Sequence, residues 1–211
     1  MASKNIYYVG TGGFANYATL SEIPTDILTA GDTTIAIGPG TYSPLTDAVL
    51  NNVSFVGQGH RDEIVISDNF TIANTSSGCI CFENITLTGT GASNAVTGAV
   101  VKLGATSTPL HFNRCVINST TLGVVSHAES AFAGVAKEIV IAYSDTTGTD
   151  RTMYSNANVA VSFSALNTVA NAYHTYGAGG VAIVGGPTVI ASTSAGSNAG
   201  NSTEVVTALI S

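Results

Sequence analysis

Apolar residues in this chain come in alternating pairs, and the pairs change phase at short polar interruptions. In Ile80-Cys81-Phe82-Glu83-Asn84-Ile85-Thr86-Leu87, Ile80 and Phe82 are two apart and share one face of a strand. Ile85 and Leu87 are also two apart, but on the other parity. A straight strand would turn the two pairs to opposite faces, so burying both requires a bend at Glu83-Asn84. The figure occurs earlier as Ala48 and Leu50, Asn51-Asn52, then Val53 and Phe55. It occurs later as Leu110 and Phe112, Asn113-Arg114, then Cys115 and Ile117. A fainter copy runs Val161 and Phe163, Ser164-Ala165, then Leu166. Asn tolerates the left-handed backbone that a tight corner needs, and it stands in most of these bends.

Leu50, Phe82 and Phe112 recur at the roughly 30-residue spacing of a solenoid coil. The longer step from Phe112 to Phe163 leaves room for two shorter repeats, one of which Ile139 and Ile141 would fill. The expectation is an all-β fold, a short parallel β-helix built from strand, corner and strand. The competing reading is an antiparallel sandwich that happens to contain apolar pairs. It does not account for a parity switch that recurs intact.

The pattern also predicts how the chain opens. Ile6 to Val9 form a first strand, and Gly10, Gly12 and Gly13 a turn. That glycine cluster lacks the Gly-Lys-Ser/Thr ending of a phosphate loop. Tyr17 to Ile23 is the best helix segment, with Asn16 as N-cap and Pro24 as its limit. A short amphipathic helix there would cover the open end of the solenoid. The expected organisation is a β-helix domain over 1–176, with a cap in 1–30, and a C-terminal assembly tail over 177–211.

Composition narrows the function. Charged residues are only 9% of the 211, against roughly 25% in ordinary soluble domains. Hydroxyls and amides must solvate the surface instead, which suits stacked strands and extracellular or virion surfaces. A net charge of −7 with six basic residues argues against a nucleic-acid binder held by phosphate contacts. No apolar run approaches the roughly 20 residues of a membrane helix. The opening Met1 to Gly10 has too short an apolar run for a secretory signal, which predicts use without export.

Phe14-Ala15-Asn16-Tyr17-Ala18-Thr19-Leu20, Gly31-Asp32 through Gly38-Pro39-Gly40-Thr41-Tyr42, Val53-Ser54-Phe55-Val56-Gly57-Gln58-Gly59 and Glu63-Ile64-Val65-Ile66 together resemble a known opening. It is that of the pectin-lyase-like right-handed parallel β-helix superfamily. The resemblance covers about residues 6–120 and implies the fold. It leaves function open, because lyases, hydrolases, esterases, phage tailspikes and virion proteins share that fold. The family's lyases hold calcium in clustered carboxylates beside a basic residue. Its hydrolases use three aspartates on neighbouring coils.

Neither constellation can be assembled here. The acids are scattered, and Glu83, which aligns with Asn51 and Asn113, stands by itself in a bend. The densest polar group, His60-Arg61-Asp62-Glu63 with Asp68 nearby, would suit general acid-base chemistry. In the resembling family, however, it is an ordinary charged turn. Cys79, Cys81 and Cys115 give no disulfide framework; Cys79 and Cys81 could bind a metal, but the favoured reading is packed thiols. His111, His127 and His174 have no companions at metal-ligand spacing. The expectation is therefore no enzyme, no catalytic residue, no metal and no cofactor.

From Tyr173 onward the character changes to Gly-, Ser- and Ala-rich segments separating apolar runs. Val181, Ile183, Val184, Val189, Ile190, Val205, Val206, Leu209 and Ile210 are the expected assembly residues. The reading is a virion structural protein, a phage head-decoration or cement protein. It would form a homotrimer and bind the major capsid protein or another virion protein. Its place would be the capsid exterior, after synthesis in the host cytoplasm, with no nucleic-acid or membrane partner. The alternatives are a tailspike or fibre that binds surface glycans, and a polysaccharide lyase or hydrolase. The absence of Trp counts against a glycan groove lined by stacked aromatics.

Overall fold

The computed structural model describes residues 5–73, 75–89, 101–103, 108–119, 125–127, 138–148, 151–155, 158–162, 165–168, 171–176, 181–183, 189–191 and 197–199. These residues form a parallel β-helix. One coil runs Val53–Gly57, Ile64–Ser67, Phe70–Ile72, and the next Ile80–Glu83, Thr86–Gly89, Val101–Leu103. The first strands of successive coils stack into a sheet of eight, and the second strands into a sheet of seven. The third strands form two sheets of three along the remaining face, with Val125–His127 beside Arg151–Ser155. Every strand pairing is parallel. Among the described residues, no helix is long and apolar enough to cross a membrane.

The register explains the core. Ile35, Phe55, Phe82 and Phe112 occupy one inward column. The Phe55 and Phe82 rings stack at 5.3 Å, and Phe82 and Phe112 at 5.4 Å. Phe70, from the third face, meets Phe55 and Phe82 edge-on at 5.4 and 5.2 Å. Ile66, Leu87 and Ile117 form the matching column of the second sheet. All of these side chains are buried.

The phase switch in the sequence is a left-handed corner. Asn84 (φ 56°), Arg114 (φ 55°) and Tyr143 (φ 50°) follow the first-sheet strands of three successive coils. The bond from Asn113 Nδ2 to Glu83 Oε1 (3.3 Å) ties two coils together beside that column. Glu83 is thus part of a corner ladder. Buried hydroxyls satisfy backbone groups at the turns: Ser144 Oγ accepts from the Cys115 N–H at 3.0 Å and donates to the Ala142 carbonyl at 2.8 Å.

Four expectations change. The Asn51-Asn52 bend is a different corner, the one that enters the first sheet. Phe55, not Leu50, is the counterpart of Phe82, and Glu83 pairs with Val56 rather than with Asn51. Asn52 has φ 51°, and its side chain donates to Asp32, which shares the left-handed conformation. In the fainter copy, Val159 and Val161 hold the register positions of Ile139 and Ile141, while Phe163 lies outside the described residues.

The helix follows Pro24 instead of ending at it: Thr25–Thr29 is helical, and Leu20–Glu22 is a single 3-10 turn. Pro24 is the N-cap, and its carbonyl accepts the Ile27 and Leu28 N–H groups at 3.1 and 3.4 Å, which starts the helix. Asn16 accepts the Tyr8 N–H at 2.8 Å and so extends the first strand rather than capping a helix. Leu20, Ile23 and Leu28 still deliver the expected cover, because all three are buried in the core. Lastly, the sheets cross the 176/177 boundary. Val181–Ile183, Val189–Ala191 and Ser197–Ala199 pair with strands of the preceding coil. The backbone partners expected from another subunit are supplied there by the chain itself.

Cys115 lies at the start of the inward turn after the Asn113-Arg114 corner and is buried. Burial pushes its thiol up to about 12. A thiol ionises near 8.5 in an unfolded chain. Its contribution to stability is therefore complete below about pH 8.5 and is lost as pH rises towards the folded value. Cys115→Ala is expected to remove a slope of about 1.4 kcal/mol per pH unit in that window, read from urea midpoints of variant and parent. Equal slopes would show that the thiol is not held neutral.

Candidate functional site

The outward face of the first sheet carries the one potential metal-ligating cluster found among the described residues. Residues next to the inward phenylalanines point the other way, because side chains alternate along a strand. Ser54 precedes Phe55, Cys81 precedes Phe82 and His111 precedes Phe112. The register sets Ser54 beside Cys81 and Cys81 beside His111. Cys79, two residues before Cys81, brings its sulfur to 3.5 Å from that of Cys81. The ligand atoms of Cys79, Cys81 and His111 all lie within 4.8 Å of one another. All four side chains are partly buried.

The surroundings act on the Cys81 thiol in opposite directions, and its pKa falls below the ordinary value. A hydrogen bond with His111 is the largest influence and favours the thiolate. Burial opposes it, while Cys79, the charge of His111 and the Ser54 hydroxyl add to the lowering. Cys81 and Cys115 therefore differ sharply: one thiol is acidified at the surface, the other held neutral in the core. The expectation that His111 lacks companions at metal-ligand spacing is corrected: the Cys79 and Cys81 sulfurs stand beside it. His111 meets them across coils, whereas the two cysteines are neighbours along the chain.

The turn at 60–63 is structural in its visible contacts. Arg61–Glu63 is a 3-10 turn, and His60 and Asp62, both largely exposed, are 3.5 Å apart. The next coil holds this connection in place. Asn84 Nδ2 donates to the Gly57 carbonyl at 3.1 Å and the Gly59 carbonyl at 2.7 Å, and Thr86 Oγ1 donates to the Arg61 carbonyl at 3.0 Å. Of the expected assembly residues, Val181 and Ile183 lie in the last described strand of the first sheet. Val189 and Ile190 lie in that of the second. Val184, Val205, Val206, Leu209 and Ile210 lie outside the described residues.

No protein-family model matches the chain. No curated protein matches it in sequence. Among solved structures, it is similar to pectin methylesterase from carrot, with a TM-score of 0.57 at 13% identity. The match covers 92% of this chain and 65% of that one, so this chain spans about two-thirds of the esterase's length. The expectation of a protein that is no enzyme is overturned at this point: a solved structure that the chain resembles belongs to an enzyme, and the fold gives no ground for excluding catalysis. At such identity the likeness bears on architecture alone, and it agrees with the parallel β-helix described above.

Proposed function

We propose that the chain is a surface component of a phage particle, a capsid decoration or cement protein that assembles as a homotrimer and binds the major capsid protein. The observation that supports this reading is the pair of solenoid ends. At the first, Asn16 and Tyr17 close the outer edge of strand Asn5–Val9 at Tyr8 to Gly10, while the side chains of Ile6, Tyr8 and nearby Phe14 stay exposed. At the other, Val181–Ile183, Val189–Ala191 and Ser197–Ala199 are the last described strands, and the segment after them carries Val205, Val206, Leu209 and Ile210. Exposed sheet edges attract further strands unless covered, and apolar side chains beside them favour cover by protein. A surface with so few charges imposes little desolvation cost on such contacts. The reading places the protein on the capsid exterior, with sister copies meeting through the C-terminal segment.

A second reading is an enzyme acting on esters of surface glycans. The likeness to pectin methylesterase and the acidified Cys81 beside His111 favour it.

Deletion of residues 201–211 separates these readings without touching a described strand. The shortened chain is expected to keep its β-type circular dichroism while losing trimer formation in sedimentation and attachment to purified particles. A truncated protein that still trimerises and still decorates particles would overturn the assembly reading. Release of methanol from methyl-esterified pectin by the intact protein, abolished by His111→Ala, would establish the second reading instead.

A further inference from the structure

We propose that Cys79, Cys81 and His111 form a binding site for a divalent cation of the zinc class, with one coordination position left for solvent. The proposal goes beyond the assembly reading and does not depend on it.

Geometry carries it first. Zinc binds thiolate at about 2.3 Å and imidazole at about 2.0 Å in tetrahedral array. Two sulfurs on such a centre stand about 3.8 Å apart, and a sulfur and a nitrogen about 3.6 Å apart. The two thiols here are 3.5 Å apart, and the whole set lies within 4.8 Å. Shifts of side-chain torsions are enough to close the remaining difference.

The donor set comes second. Two thiols and an imidazole, with no carboxylate among them, match a borderline-soft cation rather than calcium or magnesium. The scaffold comes third. Cys81 and His111 are fixed side by side by strand register, over stacked phenylalanines that cannot easily shift. Ligands held by a rigid ladder need little ordering on binding. Ser54 stands beside Cys81 on the adjacent strand, where its hydroxyl could orient the sulfur. Partial burial leaves the site an open side through which a cation and a water can enter.

The test uses the full-length chain, reduced and stripped with chelator. Zinc is titrated against a chromogenic chelator, and cobalt is titrated as a spectroscopic probe. One equivalent per chain is expected, with thiolate-to-cobalt charge-transfer absorption and the strong visible bands of four-coordinate cobalt. Cys81→Ser and His111→Ala are each expected to weaken zinc by about 100-fold or more, whereas Cys115→Ala should leave binding unchanged. Circular dichroism checks the fold of each variant. Should Cys81→Ser fail to fold, Cys79→Ser and His111→Ala carry the comparison. No saturable binding by the reduced parent, or equal binding by parent and folded ligand variants, would overturn the proposal. So would a parent whose only change is a Cys79–Cys81 disulfide, seen as a two-hydrogen mass loss, with no cation bound after reduction.

Discussion

Phe82→Ala is expected to destabilise the protein by about 3–5 kcal/mol, the range for removing a fully buried phenylalanine. Phe82 is fully buried at the centre of the aromatic column, touching Phe55 and Phe112 face to face and Phe70 edge-on. Ring pairs of this kind contribute about 0.5–1.5 kcal/mol each beyond their buried area, so the upper half of the range is the better expectation. The alanine also leaves a cavity that parallel strands on every side cannot collapse to fill. Urea unfolding followed by far-ultraviolet circular dichroism measures the loss as a lower midpoint with an unchanged slope. A loss below about 1 kcal/mol would mean that the rings do not form the core.

Gly57→Ala should cost about 3 kcal/mol, near the upper end for overpacking, or prevent folding outright. A Cβ at this position would lie 2.1 Å from the Asn84 carbonyl oxygen and 2.9 Å from Ile64 Cδ1. The side-chain methyl can move, but the carbonyl cannot do so cheaply. Asn84 is held in the left-handed corner, and its amide is committed to the Gly57 and Gly59 carbonyls. The clash is therefore between two coils, and relieving it would separate the first sheet from the turn at 60–63. Gly12→Ala is the control, since nothing lies within 4 Å of its added methyl. It should be neutral in the same urea assay. Equal behaviour of the two variants would show that the coils do not approach as closely as the structure places them.

The close approach at Gly57 gives a physical reason for the Gly57-Gln58-Gly59 element that supported the family resemblance. The sequence contained that signal, but not its cause. The candidate metal site reverses the situation. Its residues were each visible, and the repeat alignment of Phe82 with Phe112 already placed Cys81 beside His111. Spacing along the chain shows Cys79 and Cys81 as a possible pair but not His111, which joins them only across coils. In a solenoid the relevant spacing is also one coil.

What the sequence determined by itself was the kind of repeat. Alternating apolar pairs with a parity switch can bury both pairs only by turning a corner, and their recurrence at coil length leaves parallel stacking as the consistent arrangement. The sparse charge and the place of the left-handed corner at Glu83-Asn84 follow from the same residues. Tertiary structure alone decided which corner was which. Asn52 and Asn84 have the same local conformation, yet one enters the first sheet and the other leaves it. A local pattern records that the chain bends, whereas the register depends on which side chains stack from the neighbouring coil, as Phe55 does on Phe82. The same holds at both ends. Pro24 is compatible with ending one helix or starting another, and burial of Leu28 goes with the second. Strands at Val181–Ile183 and Val189–Ala191 could have awaited a partner chain, and the preceding coil supplies their pairing because it already presents an edge in register.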